Sequence, residues 1–215
     1  MNEAYDVKKG DRILIHTVAG GFGLVASQYA KSKGATVIGT TSTEAKAELA
    51  KAHGADHVIL YTKEDTVQRV LEITNGVGVD AVFDGVGKDT YVLFPTHTSD
   101  DVLTSTLRFD NNFKLLKRKG TLVSFGNASG PVPPFSLFKL TEKNVRLLRP
   151  VVMNYMVTPE EGTHYSNLFF DVVSKGIVKI NIFQEYPFGA DGVRQAHTDL
   201  HRGKSTGKLV VKVSD

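Results

Sequence analysis

The sequence predicts a doubly wound α/β fold, a parallel sheet covered by helices on both faces. Three observations lead there. Short, almost continuously apolar strand candidates alternate with helical periods along most of the chain. A strand candidate, Arg12 to Thr17 (RILIHT), runs directly into Gly20, Gly21 and Gly23, and a helical period follows at once. A second strand candidate, Thr36 to Thr41, comes about twenty residues after the glycines, as a dinucleotide-binding unit requires.

The elements follow in order. Phe22 to Lys33 has helical spacing through Val25 and Tyr29 and stops at Gly34, the residue type favoured just past a helix end. Thr43 to His53 is an alanine-rich helix closed by Gly54, and Thr41 with Glu44 has the spacing of a capping box for its start. His57 to Leu60 reads as a strand, Asp65 to Thr74 as a helix, and Asp80 to Phe83 and Thr121 to Phe125 as strands that run into glycine-rich loops. Lys117-Arg118-Lys119 reads as a solvated helix end. Val145 to Leu148 is a further strand, and Tyr165 to Lys175 a helix with Tyr165, Leu168, Phe169, Val172 and Val173 on one face. A strand near Ile177 to Phe183, a helix near Val193 to Arg202 and a strand Lys208 to Val213 complete the chain. Residues 1–185 are taken as the cofactor-binding domain and 186–215 as a C-terminal segment.

Composition bounds the function. The chain has 215 residues and 41% hydrophobic content, enough for one large domain. Its 26 basic and 23 acidic residues leave a net charge of +3, too little by itself to point to nucleic acid or an anionic membrane. No apolar run approaches the length needed to span a bilayer. There is no cysteine, which removes disulfides and thiolate chemistry and suits a reducing compartment; the cytoplasm is the expected location.

The glycine corner carries the chemistry. Glycines at this spacing let a pyrophosphate approach the backbone, and the helix start offers free N–H groups and the positive end of its dipole. Val18 stands where the full G-x-G-x-x-G pattern has its first glycine. At the end of the second strand an Asp or Glu would hold the ribose 2′-hydroxyl of NAD. Here Thr41 and Ser42 stand instead, Lys46 lies one helical turn on, and Tyr61 follows the third strand. Hydroxyls and a cation without a dedicated acid suit the 2′-phosphate of NADPH.

With these residues in view, the chain resembles the zinc-independent, zeta-crystallin-like quinone oxidoreductases of the medium-chain dehydrogenase/reductase superfamily, whose cofactor domain has the Rossmann fold. The resemblance rests on VKKGDRILIH, AGGFG, GTTSTEAK, FDGVGKDT, LLKRKGTLVSFGNASG, Arg149-Pro150, Tyr186-Pro187-Phe188 and TGKLVV, and covers nearly the whole chain. It implies hydride transfer from NADPH to a quinone or enone by a homodimer paired through the edge strand. It places Gly20, Gly21, Phe22 and Gly23 at the pyrophosphate, Thr41, Ser42, Lys46 and Tyr61 at the adenosine end, and Gly85, Val86, Phe125, Gly126 and Ser129 at the nicotinamide, with Lys208 reaching in from the last segment. No catalytic acid or base and no metal ligand are assigned.

Two departures from the family set expectations. The GroES-like substrate domain that precedes the first Rossmann strand in the family is expected to be absent, and with it half of the active cleft. Val92 to Phe109 interrupts a helix that becomes family-like once those residues are removed, so it is expected to be a protruding loop with no part in binding. Some zeta-crystallin relatives bind AU-rich RNA, so the alternatives are a nucleotide- or RNA-binding module without turnover, or a truncated gene product that binds NADPH without turnover. Tyr29 with Lys33, and His197 with His201, imitate a dehydrogenase pair and a metal pair; both are read as structural. Phe135, Leu137 and Phe138 behind Pro133-Pro134 are read as packing residues.

Overall fold

The computed structural model describes residues 1–89, 109–203 and 205–213. Among the described residues, eight strands and the helices between them form two unequal parts. The larger is a six-stranded, all-parallel sheet made by β1 (Arg12–Ile15), β2 (Thr36–Thr41), β3 (His57–Leu60), β4 (Val79–Asp84), β5 (Leu116–Ser124) and β6 (Arg146–Leu148), in the order β3-β2-β1-β4-β5-β6. This is the doubly wound arrangement expected from the sequence.

Alternate residues of each strand enter opposite cores. Ile13, Ile15, Val37, Ala81 and Phe83 pack on one face with Ala26 and Ala30 of α1 (Gly21–Ser32) and Ala50 of α2 (Glu44–Ala52). Leu14, Ile38, Ile59 and Val82 pack on the other face with Val70 of α3 (Thr66–Ile73) and with Phe113 of α4 (109–115). Burial on both faces is why these strands read as continuous apolar runs.

Several expectations are corrected. The start of α2 is capped by Thr43, whose hydroxyl accepts from the Lys46 amide, while Thr41 lies inside β2; the Thr41–Glu44 capping box does not form. Lys117, Arg118 and Lys119 belong to β5, not to a helix end, and Lys117 pairs with Asp80. Residues 92–108 of the expected insertion lie outside the described residues apart from its last residue, Phe109. That residue opens the described part of α4 and is buried against Phe113 and Phe135, at ring separations of 6.0 and 5.7 Å. Phe109 is therefore part of the core, where it packs with Phe113 and Phe135 under the sheet. Phe135 packs as expected, but Leu137 and Phe138 are exposed.

The smaller part follows β6. Helix α5 (Pro159–Ser174) starts with a proline and a capping box, in which Thr158 and Glu161 bond each other's backbone N–H groups. Beyond it, β7 (Ile182–Pro187), α6 (Ala190–His201) and β8 (Lys208–Lys212) form a parallel two-stranded unit. The division expected between residues 185 and 186 falls inside β7. No helix among the described residues is long and apolar enough to cross a membrane.

Candidate functional site

The sheet order reverses direction between β1 and β4. Chains leave the carboxyl ends of these neighbours toward opposite sides, and ligands of open α/β sheets bind in the crevice so formed. One wall is the glycine corner. Thr17 adopts φ 54°, the Gly20 amide bonds the Thr17 carbonyl at 2.8 Å, and α1 begins with no side-chain cap. The corner closes tightly. A Cβ on Gly23 would strike the Val18 carbonyl, and one on Gly39 would strike the Val18 side chain. Val18, which replaces the usual first glycine, is thus accommodated by a glycine on the neighbouring strand.

Gly207 and Lys208 cover this corner. A Cβ on Gly21 would lie 2.9 Å from the Gly207 carbonyl oxygen and 3.5 Å from Lys208 Nζ. The structure therefore places the last-strand lysine beside the glycines.

At the end of β2, Thr41 is buried and its carbonyl accepts from the Tyr61 amide at 3.1 Å; the Ser42 carbonyl accepts from the Thr62 hydroxyl at 2.9 Å. These bonds hold Thr41, Ser42 and Tyr61 at one corner. Glu44, the nearest acid, forms an ion pair with Lys63 at 2.9 Å. Lys46 Nζ donates to the Gly203 carbonyl at 2.8 Å, which ties α2 to the end of α6, and partial burial lowers the pKa of its ammonium.

The other wall is built from two interlocked loops. Ala128 N donates to the Gly85 carbonyl and Ser129 N to the Val86 carbonyl, at 3.1 and 2.9 Å. Ser129 also donates its hydroxyl proton to the Val86 carbonyl and accepts from the Asp89 amide, each at 2.8 Å, so this serine serves the loop itself. The approach is close: a Cβ on Gly85 would lie 2.8 Å from the Phe125 ring, and one on Gly126 would lie 2.9 Å from Gly85 Cα. Phe22, at the head of α1, meets Phe125 with ring centres 4.3 Å apart and planes tilted by 44°, and so connects the two walls.

Beside these rings opens a cleft of about 650 Å³, lined by Phe22, Phe83, Phe125, Tyr155 and Met156. Arg149 stands at its edge. Its Nη1 donates to the Ser124 carbonyl, the Ser124 hydroxyl and the Gly126 carbonyl at 3.0, 3.1 and 3.0 Å, fixing the loop that carries Phe125. Arg149 belongs to the Arg149-Pro150 motif but has no role assigned from sequence; an arginine just past the end of β6 is the available signal.

Tyr29 and Lys33 lie away from the crevice, with Lys33 over the Tyr29 ring and the Tyr29 hydroxyl bonded to Asn2. Among the described residues no three His, Asp or Glu side chains group as a metal would need.

The fold and this crevice have the form of a dinucleotide-binding domain, and comparison with known proteins narrows it. Residues 21–94 match the family described as zinc-binding dehydrogenase. The chain is 36% identical over 212 residues to the quinone oxidoreductase of Salmonella typhimurium and 38% identical to that of Pseudomonas aeruginosa, covering 98% of this chain and 59% of each relative. It superimposes on the crystal structure of Escherichia coli quinone oxidoreductase complexed with NADPH with a TM-score of 0.84, at 36% identity, over 97% of this chain and 59% of that one. Over nearly its whole length the chain is similar to quinone oxidoreductases, and it spans about 59% of the length of these relatives.

Proposed function

We propose that this chain binds NADPH across the switch-point crevice and serves hydride transfer to a quinone or enone. The observation that carries the proposal is the pair of walls made of close-packed glycines, with Lys208 over one and an apolar cleft beside the other. A Cβ on Gly21, Gly85 or Gly126 would meet protein atoms, so glycine at these places lets the segments that form the walls close on one another. In this reading the start of α1 and Lys208 hold the pyrophosphate. Thr41, Ser42, Lys46 and Tyr61 hold the adenosine ribose and its 2′-phosphate, with Lys46 exchanging the Gly203 carbonyl for phosphate oxygens. The loops at Gly85–Val86 and Phe125–Ser129 hold the nicotinamide with one face toward the cleft. NADPH when bound supplies the hydride; Phe22, Phe125 and Tyr155 stack an acceptor against it and exclude water. The reading requires no metal. We also propose a cytoplasmic homodimer paired along β6, the outer strand of the sheet, since an unpaired edge is a template for another copy. Light scattering tests the dimer: a monomer, or a dimer unaffected by Leu147→Pro, contradicts it.

Titration decides the cofactor. NADPH is expected to bind more tightly than NADH. Lys46→Ala is expected to weaken NADPH by about 10- to 150-fold, the value of one charged hydrogen bond, and to leave NADH nearly unchanged. Equal losses for both cofactors overturn the assignment of the 2′-phosphate site.

A further inference from the structure

Beneath the crevice lies a row of buried polar side chains that cofactor contact does not explain. His16, Thr40, Asn112 and Asp84 are each at most 3% exposed. His16 Nδ1 meets the Thr40 hydroxyl at 3.1 Å, and its Nε2 meets Asn112 Oδ1 at 2.9 Å. Asn112 Nδ2 donates to Asp84 Oδ2 at 3.0 Å. The other carboxylate oxygen accepts from the Val86 amide at 2.8 Å and the Gly87 amide at 3.3 Å. At the far end the Thr17 amide donates to the Thr40 hydroxyl at 3.4 Å.

The direction of this row follows from chemistry. A carboxylate only accepts, so Asn112 presents its NH₂ to Asp84 and its carbonyl to His16. An amide carbonyl also only accepts, so the His16 proton sits on Nε2. Burial keeps the imidazole neutral by lowering its pKa. Nδ1 then accepts from the Thr40 hydroxyl. Every link points the same way, from Thr17 at the start of the glycine corner to Asp84 beneath the opposite loop.

The row also lies where the two walls diverge. His16 follows β1, Thr40 is near the end of β2 and Asp84 ends β4. Asn112, on α4, is the one link that does not come from these strands. We propose that His16, Asn112 and Asp84 form a positioning relay that fixes the two walls of the dinucleotide crevice against each other, with Asn112 as its bridge. The proposal rests on the dinucleotide reading above. The relay touches no reacting atom. A ligand that spans both walls depends on it, whereas a ligand held by one wall does not.

Two measurements test it. The first is the nitrogen NMR spectrum of the His16 ring in the unliganded protein. The wild type is expected to show the Nε2–H form. In Asp84→Asn, the new carboxamide keeps its oxygen on Val86 and Gly87 and turns its NH₂ toward Asn112. The Asn112 amide must then reverse, and the His16 proton moves to Nδ1. The second is affinity for NADPH and for adenosine 2′,5′-bisphosphate, which fills only the glycine-corner side. Asn112→Leu is expected to weaken NADPH about 10-fold, as one buried hydrogen bond would, and to change the bisphosphate less than about twofold. Equal losses for both ligands, an Nδ1–H form in the wild type, or no change of form in Asp84→Asn overturn the relay alone. If Asn112→Leu does not fold, the isosteric Asp84→Asn spectrum decides. Wild-type protein that binds neither ligand overturns the dinucleotide reading and the relay's positioning role with it.

Discussion

All six residues of β4 are buried, while none of the sixteen residues of α5 is. The two elements answer to different forces. Strand β4 lies between two helical layers: Ala81 and Phe83 enter one core, Val79 and Val82 the other, and Asp80 and Asp84 are held by polar partners. Helix α5 owes its start to Pro159, Thr158 and Glu161, and leaves Leu168, Phe169 and Phe170 substantially exposed. In the sheet, burial specifies the structure; after β6, local backbone chemistry does most of it.

The widest separation between the two regions should come from truncating aromatic rings. Phe83, on β4, is 2% exposed and Phe170, on α5, is 64% exposed. Phe83→Ala is expected to cost about 3–5 kcal/mol, and Phe170→Ala less than about 0.5 kcal/mol, by urea unfolding of the whole chain. Similar losses at both sites would erase the contrast.

The same contrast explains what the sequence made legible. β2 and β3 lie where the apolar runs placed them, at Thr36–Thr41 and His57–Leu60, because a run buried on both faces cannot slip without exposing itself. Helix α5 begins at Pro159 rather than Tyr165, since residues 159–164 have no apolar period and only the capping chemistry of Thr158 and Glu161 marks them. The placement of Phe109 was hidden because its partners Phe113 and Phe135 are brought to it by the fold, and Phe135 is remote in sequence. At the site, the glycines, Thr41 and Lys208 were readable from spacing and family pattern. The contacts of Asn112 were not: its partner His16 is 96 residues away, and a mid-helix asparagine announces nothing.

A smaller effect probes the tightest packing on the sheet side. Gly39 has no room for a methyl group because Val18 fills the space. Gly39→Ala is expected to cost about 1–3 kcal/mol. Val18→Ala should recover part of that loss, giving a coupling between the two changes of at least about 0.5 kcal/mol. Strictly additive effects would show that Val18 does not occupy the place of the missing glycine.

A pH dependence should also belong to the sheet. His16 is buried neutral, with its folded-state pKa below the ordinary 6.5. Below that pH the unfolded chain takes up a proton that the folded chain refuses. Its contribution to stability is therefore full above pH 6.5 and is lost as pH falls, by about 1.4 kcal/mol per unit until the folded pKa is reached. His16→Gln should flatten the pH dependence of the urea midpoint between pH 6.5 and 5.5. An unchanged slope would mean that His16 is protonated in the fold.

The smallest global effect is expected from the strongest local signal in the second region. Thr158 accepts from the Glu161 amide at 3.3 Å, and Glu161 accepts from the Thr158 and Val157 amides at 3.0 and 2.9 Å. Losing such a cap ordinarily costs a helix about 1 kcal/mol. In a helix docked on a core, that loss would appear in full when the whole protein unfolds. Helix α5 buries no residue completely, so its first turn can open without disturbing the sheet. Thr158→Ala should therefore speed hydrogen exchange of the amides in the first two turns of α5 by about fivefold, the factor that 1 kcal/mol represents. The unfolding free energy of the whole chain, from urea titration, should fall by less than about 0.3 kcal/mol. A global loss equal to the local one would show that α5 unfolds together with the sheet, and that exposure of its side chains does not measure its coupling to the core.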